Sequence, residues 1–162
     1  MKRILPGLVL LCACDRMAPG RVDFPADSAA GEVAFELAGP GGAALLVPVH
    51  INGRGPYQFV LDTGATITCV DEGLAATLAL PEVSGVIGTA SGVGGQGGVQ
   101  LVSLDSLRMG AVAVHELHAC VVSLEHLGGM GLDLDGLVGL NVLTEFHVTL
   151  DFERNILTLA EP

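Results

Sequence analysis

The sequence predicts an all-β domain with one or two short helices. Three observations carry that expectation. Apolar residues recur in short, often alternating runs parted by glycine- and proline-rich turns, which is the strand pattern. Half of the 162 residues are hydrophobic while aromatics make up 4% and tryptophan is absent, so a core must rest on Val, Leu, Ile and Ala packed as strands. The 23 glycines supply the many turns that such a chain needs.

The first residues stand apart from that pattern. Lys2 and Arg3 are basic, Ile4 to Ala13 are mostly apolar but too few to span a bilayer, and Cys14 follows a small residue. Residues 1–14 read as an export signal. Leu11-Cys12-Ala13-Cys14 is similar to a bacterial lipoprotein cleavage box with Cys14 as the lipidated residue; a plain secretory signal is the alternative. Residues 15–31, frequent in Pro, Ala, Asp and Gly, read as a flexible tether, which leaves 32–160 as one folded domain. The formal charge of -11 argues against a nucleic-acid or anionic-membrane partner, and after Lys2 the chain has no lysine.

Within the domain, residues 32–37 and 44–51 are strand-like runs separated by Gly39-Pro40-Gly41-Gly42. The turn Asn52-Gly53-Arg54-Gly55-Pro56 joins 45–51 and 57–61 as a hairpin. Residues 71–80 carry Leu74, Ala75 and Leu78 at helical spacing and stop before Pro81. The strand pattern resumes at 99–107 and 112–124, and 147–152 with 156–159 close the chain as a hairpin about Glu153-Arg154-Asn155.

Two motifs bear on chemistry. Asp62-Thr63-Gly64-Ala65 ends the apolar run Tyr57-Gln58-Phe59-Val60-Leu61, which puts an acid and a hydroxyl at a turn whose backbone N–H groups can hold a charge. Asp135-Gly136-Leu137-Val138-Gly139 reads as a turn and a short buried strand, followed by a short helix over 140–146.

On these residues the chain resembles the retropepsin-like aspartic proteases, a family that includes the retroviral proteases and bacterial relatives. The family carries Asp-Thr/Ser-Gly-Ala and, later, two apolar residues and a glycine leading into a helix; here these are Asp62 to Ala65 and Leu137, Val138 and Gly139. Between them Ser91 to Gly98, with Gly94, Gly95, Gln96 and Gly97, looks like the glycine-rich tip of the family's flap. The resemblance covers roughly 32–160 and implies a retropepsin-like acid-protease barrel in which the strand of Leu137 and Val138 lies beneath the turn of Asp62. It also implies that Asp62 is catalytic, Thr63 bonds across a dimer, Gly64 lets its backbone approach the carboxylate and Ala65 lines the cleft.

Hydrolysis of a peptide in this manner needs two carboxylates sharing one proton, and the chain holds a single Asp-Thr-Gly. A two-fold homodimer supplies the second. The implied reading is an aspartic endopeptidase acting on peptide or protein substrate without cofactor or metal. A non-catalytic exported lipoprotein that uses the fold as a binding module is the alternative. Retroviral members have an acid where Thr66 stands and an arginine where Leu140 stands; losing both avoids an unpaired charge. The chain also continues beyond Phe152, near where they end, which leaves the family's terminal dimer sheet in question.

Other candidates are structural on their spacing. His115, Glu116 and His118 lack a metal-binding arrangement and read as solvated surface residues; Asp133 and Asp135 lack the further ligands of a calcium loop, and Asp135 reads as a turn residue. His50, His126 and His147 have no partner visible from sequence. With the signal cysteines set aside, Cys69 and Cys120 are the remaining pair in an exported chain and lie in regions that the family packs together. They form either a disulfide or two buried thiols.

Overall fold

The computed structural model describes residues 19–83, 88–92, 95–125 and 132–162. The export signal with Cys12 and Cys14, the flap-tip residue Gly94, and His126 lie outside the described residues.

Strands β4 (Ala44–Ile51), β5 (Arg54–Leu61), β6 (Cys69–Asp71), β8 (Gly95–Met109), β9 (Val112–Val122) and β10 (Gly136–Val138) close into a six-stranded barrel in the order β9-β6-β10-β5-β4-β8, with β8 pairing back to β9. Alternation along these strands puts one face inside. Val47, Val49, Ile51, Phe59, Val70, Val102, Leu104, Leu107 and Leu117 are fully buried, so the aliphatic core is the barrel interior. Burial of each such side chain contributes roughly 1.5–3 kcal/mol, which is why tryptophan is dispensable.

Other elements hang on this frame. Helix α1 (Glu72–Leu78) follows β6, with the Asp71 side chain accepting from Gly73 N at 2.8 Å as its cap. Strand β7 (Gly88–Gly92) pairs antiparallel with residues 95–99 of β8, so Gly95, Gln96 and Gly97 sit on one arm of a hairpin. Strand β3 (Glu36–Ala38) pairs with β4. Helix α2 (Leu140–Leu143) follows β10, and β2 (Ala30–Ala34), β11 (His147–Asp151) and β12 (Ile156–Ala160) form a second, three-stranded sheet.

Three expectations need correction. Residues 15–31 are not a tether throughout: β1 (Arg21–Asp23) pairs antiparallel with β9, and β2 starts at Ala30. The anchors are the Phe24 ring, edge-on to Phe146 at 5.9 Å between centroids, and Gly20 N, which donates to His115 O. The run 32–37 is not one strand, because the chain breaks at Phe35, buries that ring, and passes from the β2 sheet to the β3 edge of the barrel. His115 is not merely solvated, since its Nε2 lies 3.0 Å from Asp23 Oδ2.

What positions the site is the seat of β10. It runs parallel to β5, with Val138 opposite Leu61, and antiparallel to β6, with Leu137 opposite Cys69. Asp135 fastens its entry on both sides and is more than a turn residue: its carboxylate accepts from Gln58 N at 2.7 Å, and its carbonyl accepts from Asp71 N at 2.8 Å. A Cβ on Gly136 would meet the Phe59 ring and, at 2.5 Å, the Cys69 carbonyl oxygen, neither of which can move freely. We therefore expect Gly136→Ala to cost about 1–3 kcal/mol or more by overpacking. Thermal unfolding checks this, with a fall of roughly 2–4 °C per kcal/mol.

Candidate active site

Asp62 is the first residue beyond β5, and its backbone N–H still belongs to the sheet, donating to Val138 O at 3.0 Å. The chain then turns, with Ala65 N donating to Asp62 O at 3.3 Å. That turn aims Gly64 N at the acid: it donates to Asp62 Oδ1 at 2.8 Å. A Cβ on Gly64 would stand 3.1 Å from the same oxygen, a tight contact that a larger residue would relieve only by displacing the carboxylate. Asp62 and Ala65 are half-buried, while Thr63 and Gly64 are exposed.

The far side of the turn is stitched to β10 and α2. Leu140 N donates to Ala65 O at 2.8 Å and Asn141 N to Thr66 O at 3.1 Å. These backbone bonds join the positions of Thr66 and Leu140 without any ion pair. A Cβ on Gly139 would lie 2.5 Å from the Ile67 carbonyl carbon, so the segments approach to a distance that only glycine allows.

Two residues that the sequence reading passed over complete the brace. Thr68 is wholly buried; its N–H donates to Asn141 Oδ1 at 2.7 Å, and its hydroxyl accepts from Gly139 N at 3.1 Å. Asn141 Nδ2 donates onward to His118 O at 3.1 Å. A signal existed: Thr68 interrupts an apolar stretch at Ile67 and Cys69, and a polar side chain at a core position requires a partner. Directly after Thr68, Cys69 and Cys120 are opposite residues of the parallel pair β6 and β9, with Cα atoms 4.3 Å apart and their sulfurs joined. Over a separation of 51 residues such a link restricts the unfolded chain by roughly 4 kcal/mol.

The remaining candidates lie apart from this turn. His50, on β4 opposite Arg108, is held below the ordinary histidine pKa by desolvation first and by Arg108 second. His147 is exposed at the start of β11. Two grooves of about 410 Å³ each are lined, one by Ala76, Ala79, Leu80, Gln100, Val102 and neighbours, the other by Arg21, Asp105, His115 and Glu116 with Gly20; neither includes Asp62.

With that geometry in place, comparison with known proteins is direct. A family model described as aspartyl protease matches residues 47–142, a span that holds the Asp62 turn, β10 and Asn141. The solved structure of a retropepsin-like aspartic protease from Rickettsia conorii is similar over 87% of this chain and 94% of its own, with a TM-score of 0.57 at 18% identity. The retroviral protease-like domain of Ddi1 from Leishmania major aligns over 72% of this chain and 87% of its own, with a TM-score of 0.48 at 18% identity. No curated protein matches the chain.

The brace gives a test independent of activity. Asn141→Ala leaves the buried Thr68 N–H without an acceptor, which costs about 1–3 kcal/mol. The expected result is a lower Tm together with faster hydrogen exchange at the Thr68 amide.

Proposed function

Since the chain belongs to the aspartyl protease family and has the retropepsin-like fold, we propose that it is an aspartic endopeptidase whose acid is Asp62. The observation that carries the reading is the bond from Gly64 N to Asp62 Oδ1 at 2.8 Å, which fixes the carboxylate at the turn.

One carboxylate does not suffice for this hydrolysis. The chain has a single Asp-Thr-Gly, so the second acid comes from the Asp62 turn of a second copy across a two-fold axis. Two carboxyl groups brought together cannot both ionise, and they hold one proton between them. The ionised Asp62 takes a proton from water as the water oxygen attacks the peptide carbonyl. The protonated Asp62 gives its proton to the carbonyl oxygen, which leaves a tetrahedral diol and the proton on the first acid. That proton then passes to the amide nitrogen while a diol hydroxyl returns its proton to the other carboxylate, the C–N bond breaks, and a carboxyl and an amine terminus leave with the shared proton restored.

Thr63 and Ala65 take their roles from the same assembly. Thr63 is exposed in the single chain and is the residue we assign to bond across the axis; Ala65 lines the cleft beside the acid. The flap is the β7–β8 hairpin, with Gly95, Gln96 and Gly97 on its second strand. The proposal includes export, with residues 1–14 as the signal and Cys14 as the point of lipid attachment, so that the domain works at the cell envelope.

Cleavage of an unstructured protein by the purified domain should fall by roughly 10²–10⁴ in Asp62→Asn. Activity per chain should also fall on dilution through the dimer dissociation constant. An intact chain that cleaves nothing would assign it to the binding-module class instead, and cleavage that survives Asp62→Asn would remove Asp62 from the catalytic role.

A further inference from the structure

Asp62 stands on the outer face of the barrel, and that face is not polar. Phe59, Val138, Val70, Ala119 and Val102 belong to the interior core, so their neighbours along each strand point outward. Across six strands the outward residues form one row: Leu46 is opposite Val60, Val60 opposite Leu137, Leu137 opposite Cys69, Cys69 opposite Cys120, and Cys120 opposite Leu101. Asp62, two residues on from Val60, lies on the same face.

Both ends of the row are covered. Leu124 and Leu134 cluster with Leu46, and Val83 packs on the linked cysteines and Leu101. In the middle, Val60 and Leu137 are only half-buried, as is Ile67 packed beside them. Leu137 directly precedes Val138, whose carbonyl accepts from Asp62 N, so this apolar patch adjoins the acid. An outward apolar patch beside a reactive group takes an apolar side chain.

The charges around the patch are of one sign. Glu36 extends the row beyond Leu46 and is exposed. Asp135 and Asp71 stand two residues along from Leu137 and Cys69 on the same face, and backbone N–H groups fix both carboxylates. Gln58 N donates to Asp135 at 2.7 Å, and Gly73 N and Leu124 N donate to Asp71 at 2.8 and 3.0 Å. Asp133 is exposed on the segment that enters β10. The bases of the described residues are four arginines, and all lie elsewhere. Arg54 and Arg108 are opposite Ile51 and His50 at the far end of β4, which puts Arg54 roughly 25 Å from Asp62 along extended β5. Arg21 is opposite His115 and meets Asp23 at 3.1 Å; Arg154, in the turn after β11, has Asp151 at 3.8 Å.

We propose that the Asp62 site selects peptides in which an apolar residue is flanked by lysine or arginine. This rests on the endopeptidase reading for the acid and for the second copy, which brings the same carboxylates again. Charge of one sign around a low-dielectric wall raises the local concentration and the on-rate of an oppositely charged partner by roughly 10–10³ and repels a like-charged one. The attraction reaches about 30 Å in 0.01 M salt and about 3 Å in 1 M, so salt removes the preference.

The test uses three peptides with one apolar centre, flanked on both sides by arginine, serine or glutamate, at a pH above about 5 where ordinary carboxylates are ionised. In low salt the intact chain should cleave the arginine peptide with a kcat/KM roughly tenfold or more above that of the glutamate peptide, with the serine peptide between them. That ratio should shrink severalfold toward 1 M salt, and severalfold in the exposed double variant Glu36→Lys with Asp133→Lys. Equal cleavage of the arginine and glutamate peptides overturns this proposal and leaves the endopeptidase reading standing; a ratio that neither salt nor the double variant moves does the same. If no peptide is cleaved, binding of the labelled peptides decides. Tighter binding of the arginine peptide, weakened by salt, supports the charge selection and counts against the endopeptidase reading, and binding of none of the three overturns both.

Discussion

Everything at the acid depends on one strand being wedged between two others. β5 and β6 are successive in the chain yet do not pair, because β10 fills the space between them. Neighbouring strands stand about 4.7–4.9 Å apart, so residues 62–68 must cross roughly 10 Å from one to the other. That is too wide for a tight hairpin and short for seven residues. The slack becomes a turn held over the end of β10, whose Val138 carbonyl accepts from the Asp62 N–H and whose neighbour Gly139 donates its N–H to the Thr68 hydroxyl oxygen. Remove the wedge and acid, floor and brace lose their common support.

The same wedge explains how this chain dispenses with charges at the brace. Where retroviral relatives are expected to place an acid and an arginine, Thr66 and Leu140 stand, and the contact is made by backbone bonds from Leu140 N and Asn141 N. A buried ion pair offsets its desolvation only with good geometry, whereas backbone groups so close together need partners in any case. The Thr68 and Asn141 side chains add specificity through a neutral network that fixes the loop to α2 and, through His118 O, to β9. Cys69 and Cys120 tie the far end of the loop to the same strand.

How much of this was legible follows from the range of each interaction. Strand runs, the α1 cap region, the Asp62 turn and the Leu137-Val138-Gly139 strand announce themselves within a few residues, and the structure has an element at each. The brace does not: Thr68 meets Asn141 across 73 residues, and Asp135 meets Gln58 across 77. Local periodicity carries no trace of such contacts. β1 was missed because three residues are too few to show alternation amid a Pro- and Asp-rich stretch. The break at Phe35 was missed because both halves of 32–37 are strands, each in a different sheet.

We propose that the Asp62 turn of one chain is completed as a site by that of a second copy. Titrating inactive Asp62→Asn chain into a fixed amount of the intact chain, held well above the dimer dissociation constant, tests that claim most directly. If each site is built from two chains, mixed pairs are inactive and cleavage falls to about one half when the two chains are equal in amount, and further as the variant is raised. Cleavage that stays constant throughout the titration would mean that one chain carries a whole site, which contradicts the account.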